Sequence, residues 1–229
     1  MSGNWIGRWA VTAAVGLVLM TAGCGKKDAP ATDSASPGTF TDGRDGQTYK
    51  TVKIGNQTWM AENLNYRTDS GSWCYENSAD SCNKYGRLYD WNTAMTACPN
   101  GWRLSTNDDW TELVTAAGSS GVSDKLKSKS GWGEQGEGST GDGTDDYGFS
   151  ALPGGYYNSH NGTFGYVGVG GGGYWWTATE NGSGNAYHRG MDYINGFSAS
   201  ENYEDKSRGF SVRCLMGERT AEKLKTKSM

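Results

Sequence analysis

Two short segments carry residue types suited to holding a ligand. Tyr156-Tyr157-Asn158-Ser159-His160-Asn161 and Asn185-Ala186-Tyr187-His188-Arg189 set flat rings beside amide and imidazole groups. A ring can lie against the apolar face of a pyranose while amides and imidazoles bond its hydroxyls. The candidate ligand-binding residues are therefore Tyr156, Tyr157, Asn158, His160, Asn185, Tyr187 and His188. The competing use of the tyrosines is to anchor turns or fill the core. A second candidate is acidic. Glu134, Glu137, Asp142, Asp145 and Asp146 fall in one glycine-rich stretch, and hard carboxylate oxygens on a loop are the ligands Ca²⁺ takes. Asp142, Asp145 and Asp146 form the candidate metal set. Their spacing matches no EF-hand, so solvated loop charge is the alternative.

Other chemistries find no support. His160 and His188 are the only histidines and neither stands in a Cys/His cluster, which disfavours zinc. No G-x-S-x-G elbow occurs. Gly168-Val169-Gly170-Gly171-Gly172-Gly173 fits G-x-G-x-x-G formally, but an aromatic strand-like run follows it instead of a helix. A dinucleotide site needs a βαβ unit, so this segment reads as a loop before a strand.

The elements that must position these residues are legible around Cys98-Pro99-Asn100-Gly101-Trp102-Arg103-Leu104-Ser105-Thr106. Pro99-Asn100-Gly101 is turn chemistry. Thr106 can cap a helix whose first turn carries Asp108 and Asp109, where negative charge suits the helix dipole. Trp110, Leu113, Val114 and Ala117 then follow at i, i+3, i+4 and i+7, and Gly118 stops the run. The reading is a helix over 107–117, an earlier one over 88–97, and a short third after Ser123 through Leu126. Tyr49 to Ile54 alternates as a strand, Gly55-Asn56 is a hairpin turn, and Gln57 to Met60 returns. Trp175 and Trp176 point to opposite faces if 174–177 is a strand, so at least one is core. After Gly131 the pattern is strands and glycine loops.

The chain has 229 residues, a formal net charge of −4, 36 glycines, 10 Trp and 13 Tyr against 5 Phe. One domain with appendages fits that length, and the charge balance leaves no footprint for nucleic acid. Arg8 precedes an apolar run from Trp9 to Met20, too short to span a ~30 Å hydrocarbon core. Thr21-Ala22-Gly23-Cys24 follows and resembles the lipobox of bacterial lipoproteins, in which the cysteine is lipidated and becomes the first mature residue. Thr21 stands where that motif usually has leucine. Residues 1–23 are then a signal peptide, and 24–38, small, polar and punctuated by proline, a disordered tether. The folded domain is expected over 39–217. Residues 218–229 form a charged, solvated tail. Setting Cys24 aside leaves four cysteines and three connectivities. Cys74–Cys82 and Cys98–Cys214 is the favoured set, one short loop and one long.

The run from Asp45 to Asn65 resembles the opening signature of the Fibrobacter succinogenes major paralogous domain family. Further matches are Tyr85-Gly86-Arg87-Leu88-Tyr89-Asp90-Trp91, Ala97 to Leu104, Asp146-Tyr147-Gly148-Phe149-Ser150-Ala151-Leu152-Pro153-Gly154-Gly155, Tyr174 to Glu180 and Arg208 to Cys214. Ser105 departs from the usual proline, which should soften that loop. The family is similar to C-type-lectin-like folds, particularly the formylglycine-generating (sulfatase-modifying) branch. The resemblance implies an α+β fold: a few helices on small twisted antiparallel sheets, long Gly-rich loops and two disulfides. Loops of such folds often hold calcium. The branch's enzymes use a pair of reactive cysteines near the C-terminus, whereas Cys214 stands alone there. The expectation is a non-catalytic module anchored to the membrane through lipid on Cys24, at the outer membrane or cell surface of a bacterium. Its expected partner is a polysaccharide. The alternatives are a scaffold displaying a protein-binding face and an enzyme of the sulfatase-modifying kind.

Overall fold

The computed structural model describes residues 1, 3, 38–136, 139–160, 163–165, 170–194 and 200–218. The chain divides into two units, Met1–Thr32 and Asp33–Met229, and the fold below belongs to the second. Cys24, the tether, the tail from Arg219, Glu137 and Gly168-Val169 lie outside the described residues.

In chain order the domain opens with strands β1 (Gly38–Thr41), β2 (Thr48–Ile54), β3 (Gln57–Met60) and β4 (Ser72–Trp73). Helix α1 (Ala79–Tyr85), β5 (Leu88–Tyr89), α2 (Trp91–Ala97), β6 (Trp102–Leu104), α3 (Asn107–Ala116) and α4 (Val122–Leu126) follow. The remainder is strand: β7 (Glu134–Gly136), β8 (Ser139–Thr140), β9 (Tyr156–Asn158), β10 (Thr163–Gly165), β11 (Gly172–Asn181), β12 (Asn185–Asp192), β13 (Ser200–Asp205), β14 (Phe210–Ser211) and β15 (Cys214–Met216). One sheet runs β1-β2-β3-β15-β6 and a second β13-β12-β11-β14-β5-β4, while β9-β10 and β7-β8 are two-stranded. Every pairing between named strands is antiparallel except β11 with β14. The fold is α+β, as expected.

Local chemistry explains the best-formed pieces. The β2–β3 hairpin pairs Ile54 with Gln57 across Gly55-Asn56. Gly55 sits at φ +58, and a Cβ there would come within 2.9 Å of the Ala116 side chain, so only glycine fits this turn under α3. Helix α3 starts with a full capping box: the Thr106 hydroxyl accepts from the Asp109 N–H while the Asp109 carboxylate accepts from the Thr106 N–H. Burial alone would raise the Asp109 pKa. Hydrogen bonds from Arg103 and Thr106 outweigh it and hold the carboxyl well below its usual range.

Three readings need correction. Leu88-Tyr89 is strand β5, paired with β14 and β4, and the helix begins only at Trp91, where Asp90 accepts from the Thr93 N–H. Helix α1 went unread because Ala-Asp-Ser-Cys-Asn-Lys-Tyr has no apolar period; it buries only Cys82 and Tyr85. Ser105 does more than stand in for proline. It is fully buried, and its hydroxyl accepts the Trp110 indole N–H at 2.9 Å, a bond that proline has no group to make.

Trp175 and Trp176, both fully buried, feed two separate cores. Trp175 joins Trp59, Trp110, Leu113, Leu126, Phe149 and Met191. Trp176 joins Tyr89, Trp91, Leu104, Phe210 and Val212. The sheet containing β11 separates them, as alternation along a strand requires. Both expected disulfides form: Cys74–Cys82 and Cys98–Cys214, spanning 8 and 116 residues. The second clasps the end of α2 to the closing strand β15.

Candidate functional site

The faces of the six-stranded sheet decide which candidate residues meet. Trp176, His188 and Asn202 lie side by side across β11, β12 and β13, so they share one face; Trp175, Arg189 and Glu201 share the other. Tyr187 is next to His188 in the strand and therefore points away from it. It meets Tyr203 edge-on, with ring centroids 6.1 Å apart, and Tyr203 is 53% exposed.

On the Trp176 face the rings form one cluster. His188 lies 4.6 Å from Phe210 and 5.9 Å from Tyr174, centroid to centroid. Tyr156, arriving from β9, stands edge-on to Tyr174 at 5.6 Å and to Phe210 at 6.1 Å. Tyr156 and Tyr174 are half-buried. The Arg208 guanidinium carbon lies 5.5 Å above the Tyr156 ring, and its Nε is 3.0 Å from the Glu204 carboxylate. This face thus offers two half-open rings, a cation and an acid within reach of one another.

Burial governs the titration here. It pushes the Tyr174 hydroxyl up, with Tyr156 and Asp192 adding to the effect. It pushes His188 down to about 4, partly offset by the Arg189 backbone and reinforced by the Arg208 charge. His188 Nδ1 has no well-formed hydrogen bond. Between the ordinary value of 6.5 and about 4, the unfolded chain takes up a proton that the folded one refuses. Stability therefore falls as pH drops through that window, by about 3 kcal/mol in total. Urea unfolding at pH 7 and pH 4 should show this loss, and His188→Gln should lack it; equal pH slopes would overturn the assignment.

The remaining candidates are spread out. Tyr157 stacks on Trp73 at 4.3 Å on the other side of β9. Asn158 accepts from the His160 backbone N–H at 3.2 Å, an ordinary turn bond, and the His160 side chain is exposed. Asn185 closes the β11–β12 hairpin opposite Asn181. Trp73, Tyr174, Glu204 and Arg208 were missed; Glu204 and Arg208 pair locally, but the contacts that bring Trp73, Tyr174 and Arg208 to Tyr156 and Tyr157 are non-local. The alternation of β11 was the available signal for Tyr174.

Two of the acidic residues serve the fold. Asp142 accepts from the Trp132 N–H at 2.9 Å. Asp145 accepts from the Ser150 N–H at 2.7 Å and from its hydroxyl at 2.6 Å. Asp146 and Glu134 are exposed. Among the described residues no three His, Cys, Asp or Glu side chains form a group able to hold a metal ion. The four described cysteines are all in disulfides, so none offers a free thiol. An open groove of about 340 Å³ beside α3 is lined by Gln57, Arg103, Asp109 and Glu112, but Arg103 and Asp109 already pair with each other. Gly172 and Gly173, read as the end of a loop, instead open strand β11.

Searches for similar curated proteins and similar solved structures returned no match. The family model described as the Fibrobacter succinogenes major domain matches residues 52–216, most of the described domain. With β3, α3 and β15 falling inside that span, the chain belongs to the Fibrobacter succinogenes major domain family.

Proposed function

We propose that this chain is a lipid-anchored surface module that binds polysaccharide and performs no catalysis. The observation that carries the reading is the Tyr156–Tyr174–Arg208 face, where half-exposed rings from β9 and β11 stand together with the Glu204–Arg208 charged pair. Rings and planar polar groups fixed by strands are what a sugar-binding surface needs. The absence of any free thiol among the described residues weighs against the chemistry of the sulfatase-modifying branch. A C-type-lectin-like relationship is part of the same proposal. Its support is the sequence resemblance and the Cys98–Cys214 clasp between the α2–β6 turn and the last strand. The anchor is supported by the lipobox-like Thr21-Ala22-Gly23-Cys24; lipid on Cys24 would hold the domain at the bacterial outer membrane or cell surface. Calcium in the acidic loop is the weaker element, since Asp142 and Asp145 are already engaged.

The test uses the chain with Cys24→Ser, which stays lipid-free, against insoluble cellulose, xylan and a glycan array, with and without chelator. Saturable binding is expected, with Tyr156→Ala weakening it by about thirtyfold or more, as loss of an aromatic anchor does. Tyr187→Ala should retain binding, since Tyr187 lies on the opposite face. Loss on chelation would restore the acidic loop. No glycan binding by a folded protein would overturn the reading and favour a protein-binding display scaffold.

A further inference from the structure

The basic side chains around this face differ in what they have left to offer. Lys206 is occupied: its Nζ lies 3.0 Å from Glu180 Oε1 and 3.1 Å from the Ser183 carbonyl. Arg189, on the other face, donates to the Asn107 carbonyl and the Thr111 hydroxyl and pairs with Glu201. Arg208 is different. Its Nε lies 3.0 Å from the Glu204 carboxylate as an ion pair without a well-formed hydrogen bond, and Nη1 and Nη2 make no hydrogen bond to any described residue. Its side chain is 21% exposed, so the open end reaches solvent. A guanidinium offers its two terminal N–H groups in a flat fork that matches a carboxylate with two parallel bonds. The Glu204 carboxylate beside Nε and the Tyr156 ring beneath the guanidinium limit where the fork can point.

We propose that the Tyr156 face is selective for acidic polysaccharide, a chain of hexuronate units, with one sugar carboxylate on the open end of Arg208 and a sugar ring against Tyr156 or Tyr174. This rests on the polysaccharide reading above and narrows it to a ligand class. Glu204 discourages a ligand that approaches from the Nε side and leaves the terminal fork as the place for an anion. His188, buried beneath the cluster and neutral at ordinary pH, adds no second cation, so one carboxylate is taken per site.

The experiment compares polygalacturonate with the same polymer after full methyl esterification, which keeps the backbone and removes the charge. Cellulose and xylan serve as neutral references. The probe protein is the chain with Cys24→Ser, and binding is measured by calorimetry and pull-down. Binding to polygalacturonate is expected to be about tenfold or more tighter than to the ester, the size of a charge-assisted forked contact. Arg208→Gln should erase that preference, and Arg208→Lys should leave only part of it, because an ammonium cannot fork. Equal affinity for acid and ester, or an undiminished preference in Arg208→Gln, overturns the acidic-ligand inference. If neutral glycans then bind and Tyr156→Ala abolishes it, the polysaccharide reading survives without the inference. If no glycan binds at all, both fall.

Discussion

Replacing Asn63 with leucine is expected to cost about 4 kcal/mol of folding free energy, more than any single surface change in this domain. The reason lies in how many buried groups converge on one amide. Asn63 Oδ1 accepts from Arg213 Nε at 3.0 Å, from Arg213 Nη2 at 2.8 Å and from Trp175 Nε1 at 2.8 Å. Its Nδ2 donates to the Tyr85 carbonyl at 2.8 Å and to the Ser211 hydroxyl at 3.3 Å. Arg213 is fully buried, and none of the salt bridges among the described residues involves it. Its other partners are backbone carbonyls, the nearest being Phe149 at 2.6 Å. Burial pushes its pKa down to about 9, with Glu62 and Asp145 opposing from a distance. Removing the Asn63 amide strands that cation. Arg213→Met is a different perturbation, since it removes the ion together with its desolvation cost. The Asn63→Leu penalty should therefore drop to about 1–2 kcal/mol in an Arg213→Met background. Urea unfolding with the disulfides intact measures the cycle. Equal penalties in both backgrounds would show that the amide acts through packing alone.

The second large effect belongs to the cysteines, and its size differs between the two bridges. The Cys98–Cys214 bridge spans 116 residues and the Cys74–Cys82 bridge only 8. In the loop-entropy description, removing the first costs about 5 kcal/mol and the second about 2.5 kcal/mol. A domain with a total stability of about 5–15 kcal/mol can lose the short bridge and remain folded, whereas loss of the long one consumes much of the margin. Thermal unfolding of Cys98→Ala/Cys214→Ala and Cys74→Ala/Cys82→Ala should show the first far less stable. Comparable losses would mean that native-state packing, not chain entropy, sets both contributions.

What the sequence revealed follows the range of the interactions. The β2–β3 hairpin and α3 are written within a dozen residues each, as an alternation, a Gly-Asn turn, a Thr cap and an apolar period. The even cysteine count left three connectivities, and the favoured one, a short loop with a long one, is the one that forms. Helix α1 was illegible because a disulfide and the Tyr85 side chain hold it, not an apolar stripe. Leu88-Tyr89 looked helical because it runs on without a breaker into a helical stretch; its strand identity comes from β4 before it and from β14, over a hundred residues later. Asp90, with Thr93 three residues on, was a cap signal that marked the true boundary. The binding face shows the same divide. Tyr156 and His188 were chosen from separate segments, and the sheet does bring them together through Tyr174 and Phe210. Tyr187 was grouped with His188 by adjacency, and strand alternation then separated them. Arg208 stands alone in sequence and gained its setting only from Glu204 one turn away and Tyr156 on another strand.

The order β1-β2-β3-β15-β6 has a consequence for how the protein is made. Strand β15 is the last strand among the described residues, yet it fills the position between β3 and β6. During synthesis that sheet stays split, with two exposed inner edges, until residues 214–216 have emerged. The cysteine that clasps α2 to the sheet arrives at the same moment. No shorter nascent chain can complete the structure, so premature folding is disfavoured by topology alone. If the chain is exported as proposed, this order would keep it threadable until residues 214–216 are delivered.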